Sequence, residues 1–162
     1  MKPKKWSENI EYTNKLLDIN KLDKEQHTIK GIYIDDITNK DHPAYGQKGL
    51  FTKRKWSKFE VIGNYCGIIC EPSVINKYVS RLYHDIPCDE TIGINALNCG
   101  NELRYINDYK NISDEPNTRF ISSNINGFQQ ILVVVIKDIP SYKEILIDYG
   151  NDYWNYWNDN LE

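Results

Sequence analysis

Residues 118–136 restrict this chain's possible folds more than any other stretch. They contain Asn126-Gly127, followed by the apolar run Ile131-Leu132-Val133-Val134-Val135-Ile136. Asn-Gly tolerates positive φ at both central positions of a tight turn, so it marks a two-residue hairpin. A β-branched run that is apolar on both faces belongs to a strand covered on both sides. At six residues it is far too short to cross a bilayer. The chain must therefore build a sheet whose central strand lies in the core, with residues 118–123 as its hairpin partner.

The other strand signals are short and scattered. Residues 28–37 carry period-two apolar positions at Ile32 and Ile34, and Leu50-Phe51-Thr52 begins another strand. Residues 59–65 and 67–70 read as strands that bend at Gly67, and residues 92–96, 129–136 and 145–149 also read as strands. Helical spacing is sparse. Ile10, Leu16, Leu17, Ile19 and Leu22 form a modest stripe over residues 7–26. Val74, Ile75, Tyr78, Val79 and Leu82 predict a helix over 73–83 with Ser73 as N-cap. Residues 101–106 predict a turn of helix, while 41–49 and 108–117 are loops marked by Pro, Gly and polar residues. The expected fold is mainly β, with a few short helices and non-local pairing. The expected organisation is a helical extension over 1–27, a main domain over 28–150 with a variable insert at 71–97, and an aromatic tail over 151–162.

Composition bounds function. The 162 residues are 40% apolar, enough for one self-standing core. A net charge of -3 implies no broad basic face, so no direct nucleic-acid site is expected, and a mildly acidic surface suits a basic peptide. Cys66, Cys70, Cys88 and Cys99 form no Cys-x-x-Cys pair, and His27, His42 and His84 are scattered, so no metal site is expected. Free thiols suit a reduced, intracellular compartment. No signal peptide or membrane span is read; Lys2-Pro3-Lys4-Lys5 reads as a solvated terminus, with a nuclear address as the alternative. Oligomeric state is left open.

Three groups of residues, in fixed order, carry chemistry. The first is Gly46-Gln47-Lys48-Gly49-Leu50-Phe51, a glycine-bearing entry to a strand. The second is the strand corner Phe59-Glu60-Val61-Ile62-Gly63-Asn64-Tyr65-Cys66-Gly67-Ile68-Ile69. The third is a pair: Gly100-Asn101-Glu102-Leu103-Arg104-Tyr105-Ile106-Asn107 ends a polar run on Asn, and Glu144-Ile145-Leu146-Ile147-Asp148-Tyr149-Gly150 ends an apolar strand on Tyr-Gly. Together they resemble the SET-domain protein-lysine methyltransferases, from about Gly46 to Trp154.

The resemblance implies a β-clip-like fold of small curved sheets with a pseudoknot-like C-terminal threading. It implies S-adenosyl-L-methionine as cofactor, S-adenosyl-L-homocysteine as product and a lysine-containing protein or peptide, such as a histone tail, as substrate. The implied cofactor residues are Gln47, Lys48, Gly49 and Leu50 for the methionine part, then Arg104, Tyr105, Asn107 and Asp108. In that family the Asn side chain holds the α-amino group and the next residue's main chain reads the adenine edge. Tyr149 falls on the catalytic tyrosine, and Tyr65 on a tyrosine lining the lysine channel. Trp154 is placed to stack on adenine, and Tyr153, Tyr156 and Trp157 are placed to wall the lysine channel.

The departures are Gln47 where Gly is common, Asp108 in place of His, and a longer loop over 108–115 before Pro116-Asn117 restores the pattern. No cysteine follows Cys99, so the zinc-binding tail of many relatives is absent. The loop and Asp108 keep alive a second reading, a catalytically silent SET-like module that binds peptide or chromatin. A third is an acidic interaction protein sharing only the all-β fold.

Overall fold

Hairpin pairing organises the largest sheet. The computed structural model describes residues 2–14, 28–70, 79–82, 92–125, 128–151 and 153–155. Its strands are β1 (Glu11–Tyr12), β2 (Ile32–Asp36), β3 (Lys48–Thr52), β4 (Val61–Asn64), β5 (Ile68–Cys70), β6 (Val79–Leu82), β7 (Ile92–Asn95), β8 (Cys99–Gly100), β9 (Asn107–Asp108), β10 (Thr118–Ile125), β11 (Phe128–Val135) and β12 (Leu146–Ile147). One 3-10 turn, Glu102–Tyr105, lies between β8 and β9, with the Asn101 side chain accepting from Leu103 N at its start.

β10 and β11 pair antiparallel from Thr118↔Val135 to Ile125↔Phe128, and β4 pairs with the other edge of β11. The last register pair leaves two residues for the connection, as Asn-Gly predicts; Asn126 and Gly127 themselves lie outside the described residues. Ile131, Val133 and Val135 are at most 1% exposed, and Val134 on the opposite face is also buried, so β11 is covered on both sides. The remaining sheets are small: β5-β7-β6, β2-β3, and the parallel pairs β1-β8 and β12-β9.

Two helical expectations do not hold where they can be followed. Residues 7–14 form turns and β1, because Trp6 and Tyr12 bury their rings, and β1 pairs with β8. The remainder of the 1–27 extension, residues 15–27, lies outside the described residues. Residues 79–82 form β6, antiparallel to β7, and residues 73–78, including Ser73, also lie outside. Apolar spacing over so few residues does not separate helix from strand, and a free edge on β7 decides it.

The C-terminal segment is held from both sides. β12 runs parallel to β9, with Leu146↔Asn107 and Ile147↔Asp108, and Tyr109 N donates to Ile147 O at 2.9 Å. On the other flank Asn117 acts as a strand edge. Its Oδ1 accepts from Leu146 N at 2.8 Å, and its Nδ2 donates to Glu144 O at 2.8 Å. Thr118 Oγ1 donates to Leu146 O at 2.9 Å. Residues 109–116 connect the two flanks, so the segment is threaded through their loop. The lengthened loop is itself ordered by hydrogen bonds from Ile112 N and Ser113 N to Tyr109 O, at 3.0 and 2.9 Å.

Candidate functional site

The strand-entry loop forms one wall. Gly46 sits at φ +79°, the left-handed region that glycine enters without penalty. That frees Gln47 from any such demand, and Gln47 is outside the positive-φ residues. Gly49 is needed for space. A Cβ there would lie 2.7 Å from Ile37 Cδ1 and 2.9 Å from Glu144 Oε1.

Glu144 fills the room that Gly49 leaves. Its Oε1 accepts from Asn107 Nδ2 at 2.8 Å, and its Oε2 lies 3.0 Å from His42 Nε2. Asn107 Nδ2 also reaches Lys48 O at 3.4 Å. Both partners of that amide nitrogen are acceptors, which orients the carboxamide with its oxygen turned away from them.

Asp108 braces the next layer. Its Oδ1 accepts from Lys110 N at 2.8 Å and its Oδ2 from Tyr149 N at 2.7 Å. The Asp108 carboxylate thus ties the loop after β9 to the Tyr-Gly corner. The Tyr149 hydroxyl donates to Ile106 O at 2.7 Å, beside Asn107. Tyr153 stacks edge-on against Tyr149 and against Trp154, with ring centroids 4.8 and 5.3 Å apart. Lys110 Nζ sits 5.3 Å from the Trp154 ring.

Several of these residues line a cavity of about 560 Å³. Gly46, Gln47 and Lys48 line one side; Arg104, Tyr105, Asn107 and Asp108 a second; Tyr149, Tyr153 and Trp154 a third. Its size lies within the range of roughly 300–1,000 Å³ for small-molecule pockets. Trp154 Nε1 is buried without a hydrogen-bond partner, although an indole N–H normally finds one. An unspent indole N–H, a carboxamide whose nitrogen is already engaged and a lining that mixes aromatic rings with polar side chains fit a nucleoside amino acid.

Gly49 and Leu50, expected at the cofactor, do not line this cavity, and neither does Tyr65, expected on the lysine channel. Gly49 lies behind the wall, and Leu50 is fully buried, its carbonyl accepting from Ile145 N at 2.8 Å. Tyr65 is 4% exposed and packs its ring edge-on against Phe120, with centroids 5.2 Å apart. Arg104 lines the cavity, yet its guanidinium donates to the carbonyls of Ala96 and Leu97, at 2.8 and 3.2 Å, and so knits the wall together.

Other participants went unread in the sequence. Ser7 and Ile10 line the cavity from the N-terminal segment. Ser7 N donates to the Tyr105 hydroxyl at 3.3 Å, and that hydroxyl donates to Ser7 Oγ at 2.9 Å. Trp6 meets Tyr12 and Tyr105 edge-on. Beneath them Glu102 accepts from the Tyr12 hydroxyl at 2.9 Å and from Ile29 N at 2.8 Å. Burial holds the Glu102 carboxyl above the ordinary range, and burial followed by the Glu102 charge raises the Tyr12 phenol. Glu144 stands in the Asp-Tyr-Gly segment and could have been singled out there; a lone His42 carries no such signal.

The SET domain family model matches residues 47–150. The chain belongs to the SET-domain family. Among solved structures, it is similar to a crystal structure of KRYPTONITE in complex with mCHH DNA, H3(1-15) peptide and SAH. The TM-score is 0.56 at 19% identity, over 75% of this chain. The chain spans 24% of that structure's length. The likeness is one of fold, and it agrees with the mainly β architecture of small sheets and threaded C-terminal segment.

Proposed function

We propose that this protein is a protein-lysine N-methyltransferase that uses S-adenosyl-L-methionine and acts on a histone or another basic protein tail. The observation that carries it is one cavity lined by Asn107, Asp108, Tyr149 and Trp154, residues far apart in the chain, with the Trp154 indole N–H buried and unspent. The KRYPTONITE complex contains SAH and a histone peptide, which supports the reading.

When bound, the cofactor supplies a sulfonium-activated methyl carbon. The chain's own residues do the rest. Asn107 offers its carboxamide oxygen to the α-ammonium, Lys48 and Gln47 hold the amino-acid part, and Asp108 with its neighbours forms the nucleoside wall. Trp154 covers that wall with its ring. The Tyr149 hydroxyl donates its hydrogen bond to Ile106 O, so toward the reacting centre its oxygen acts as an acceptor. A lysine amine has an ordinary pKa of about 10.4, and an apolar channel favours its neutral, nucleophilic form by desolvation. Orientation in such a site is worth roughly 7–11 kcal/mol.

Two measurements test this. Calorimetry with S-adenosylhomocysteine should show binding that weakens about tenfold or more in Asn107→Ala, the loss expected for a hydrogen bond to a charged group. Labelled methyl transfer to mixed histones or basic peptides should be detected. Binding without transfer to any of them would favour the silent module; no binding would remove the site altogether.

A further inference from the structure

We propose that His42, which lies outside the family match and outside every motif read in the sequence, is a positioning residue that sets the orientation of Asn107 through Glu144. The inference rests on the methyltransferase reading above. His42 Nδ1 accepts a hydrogen bond from Ala44 N at 3.0 Å. A ring nitrogen that accepts carries no proton, so the neutral ring bears its hydrogen on Nε2. Nε2 lies 3.0 Å from Glu144 Oε2 and therefore donates to it.

The other carboxylate oxygen holds Asn107 Nδ2 at 2.8 Å. The chain of bonds runs from the Ala44 amide through the imidazole and the carboxylate to the carboxamide. The side chains of His42 and Glu144 are only 9% and 11% exposed, so water cannot readily replace either partner. Gly49 leaves the space that Glu144 Oε1 occupies. The same loop supplies Pro43, Ala44 and Gly46 to the cavity wall, so wall and carboxamide are locked together.

The consequence concerns the charge the site presents. With Glu144 braced, the amide nitrogen of Asn107 is committed and its oxygen is offered to a ligand cation. With His42 gone, Glu144 loses a donor and can turn away, and the carboxamide is free to rotate. A rotated carboxamide would present N–H groups to an ammonium, which cannot accept them. His42 thus serves recognition of the amino-acid end of the cofactor and not of its nucleoside.

Calorimetry on the full chain, with S-adenosylhomocysteine and with methylthioadenosine, which lacks the amino-acid part, separates the roles. His42→Ala and His42→Asn should weaken S-adenosylhomocysteine binding about tenfold and change methylthioadenosine binding less than about twofold. His42→Gln, whose amide nitrogen reaches as far as Nε2, should retain affinity to within about threefold. Unchanged S-adenosylhomocysteine binding in His42→Ala overturns the inference. So does equal loss for both ligands, which marks general collapse of the loop. Retention by His42→Asn with loss in His42→Gln would mean that the ring only caps Ala44, and also overturns it. A parent chain that binds neither ligand sinks the methyltransferase reading and this inference with it, whereas a binding parent with unaffected variants sinks only the inference.

Discussion

Tyr149 has a single hydroxyl proton, and the Ile106 carbonyl holds it. Tyr149→Phe should leave S-adenosylhomocysteine affinity within about twofold and lower turnover about a hundredfold, a loss of roughly 2.7 kcal/mol of transition-state stabilisation. Equal turnover by that variant would remove the hydroxyl from the reaction. Gly49 makes a different kind of contribution, because it is small where Glu144 must approach. Gly49→Ala forces Ile37 and Glu144 to move, an overpacking cost of about 1–3 kcal/mol, and should lower both the melting temperature and S-adenosylhomocysteine affinity. A variant as stable and as tight-binding as the parent would show that the carboxylate has room to spare. Asn107, Asp108 and Tyr149 were legible from the sequence because the resemblance is local: each sits in a short motif. His42 was not, since its partner Glu144 is 102 positions away and no local pattern links them.

Short elements built this site, and their partners decided what they became. The N-terminal segment illustrates it. Its apolar spacing predicts a helical stripe, yet the Trp6 ring inserts edge-on between Tyr12 and Tyr105 and β1 pairs with β8. The Trp6 indole nitrogen donates to Ile10 O at 2.8 Å, and Ile10 and Ser7 reach the cavity. The segment lies outside the region matched by the family model but forms part of the cavity wall. Trp6→Ala should cost about 3–5 kcal/mol of stability, as large-to-small aromatic truncations do. At a temperature where the variant remains folded, it should also bind S-adenosylhomocysteine more weakly. Chemical denaturation and calorimetry check the two effects, and unchanged affinity would reduce the segment to scaffolding. By contrast the β10–β11 hairpin was legible, because turn chemistry and a doubly apolar strand are encoded by neighbouring residues.

Across the whole molecule, Glu102 links the N-terminal segment, the 3-10 turn and the core. Its folded carboxyl is held above the ordinary value of 4.5 by burial. Below that value both folded and unfolded carboxyls are protonated and the associated stability is fully present. As pH rises from about 4.5 through the raised folded value, the native state binds more protons than the unfolded one, and stability is lost. Thermal unfolding of parent and Glu102→Gln between about pH 4 and pH 8 should show the parent's margin over the variant shrinking as pH rises. A pH-independent margin would mean that Glu102 titrates alike in both states. Burial likewise pushes the Cys66 thiol up to about 12, and Cys66 is 1% exposed, so it should resist alkylation while the chain is folded. The order of motifs, the hairpin and the mainly β character follow from local residue chemistry, because turn propensity and strand alternation act over a few residues. Threading of β12 between β9 and Asn117, the brace of His42 on Glu144, the closing of the cavity by residues before the SET domain and the burial of Tyr65 depend on tertiary packing. Those contacts join positions tens of residues apart, and each forms only after the rest of the core has brought its partner within reach.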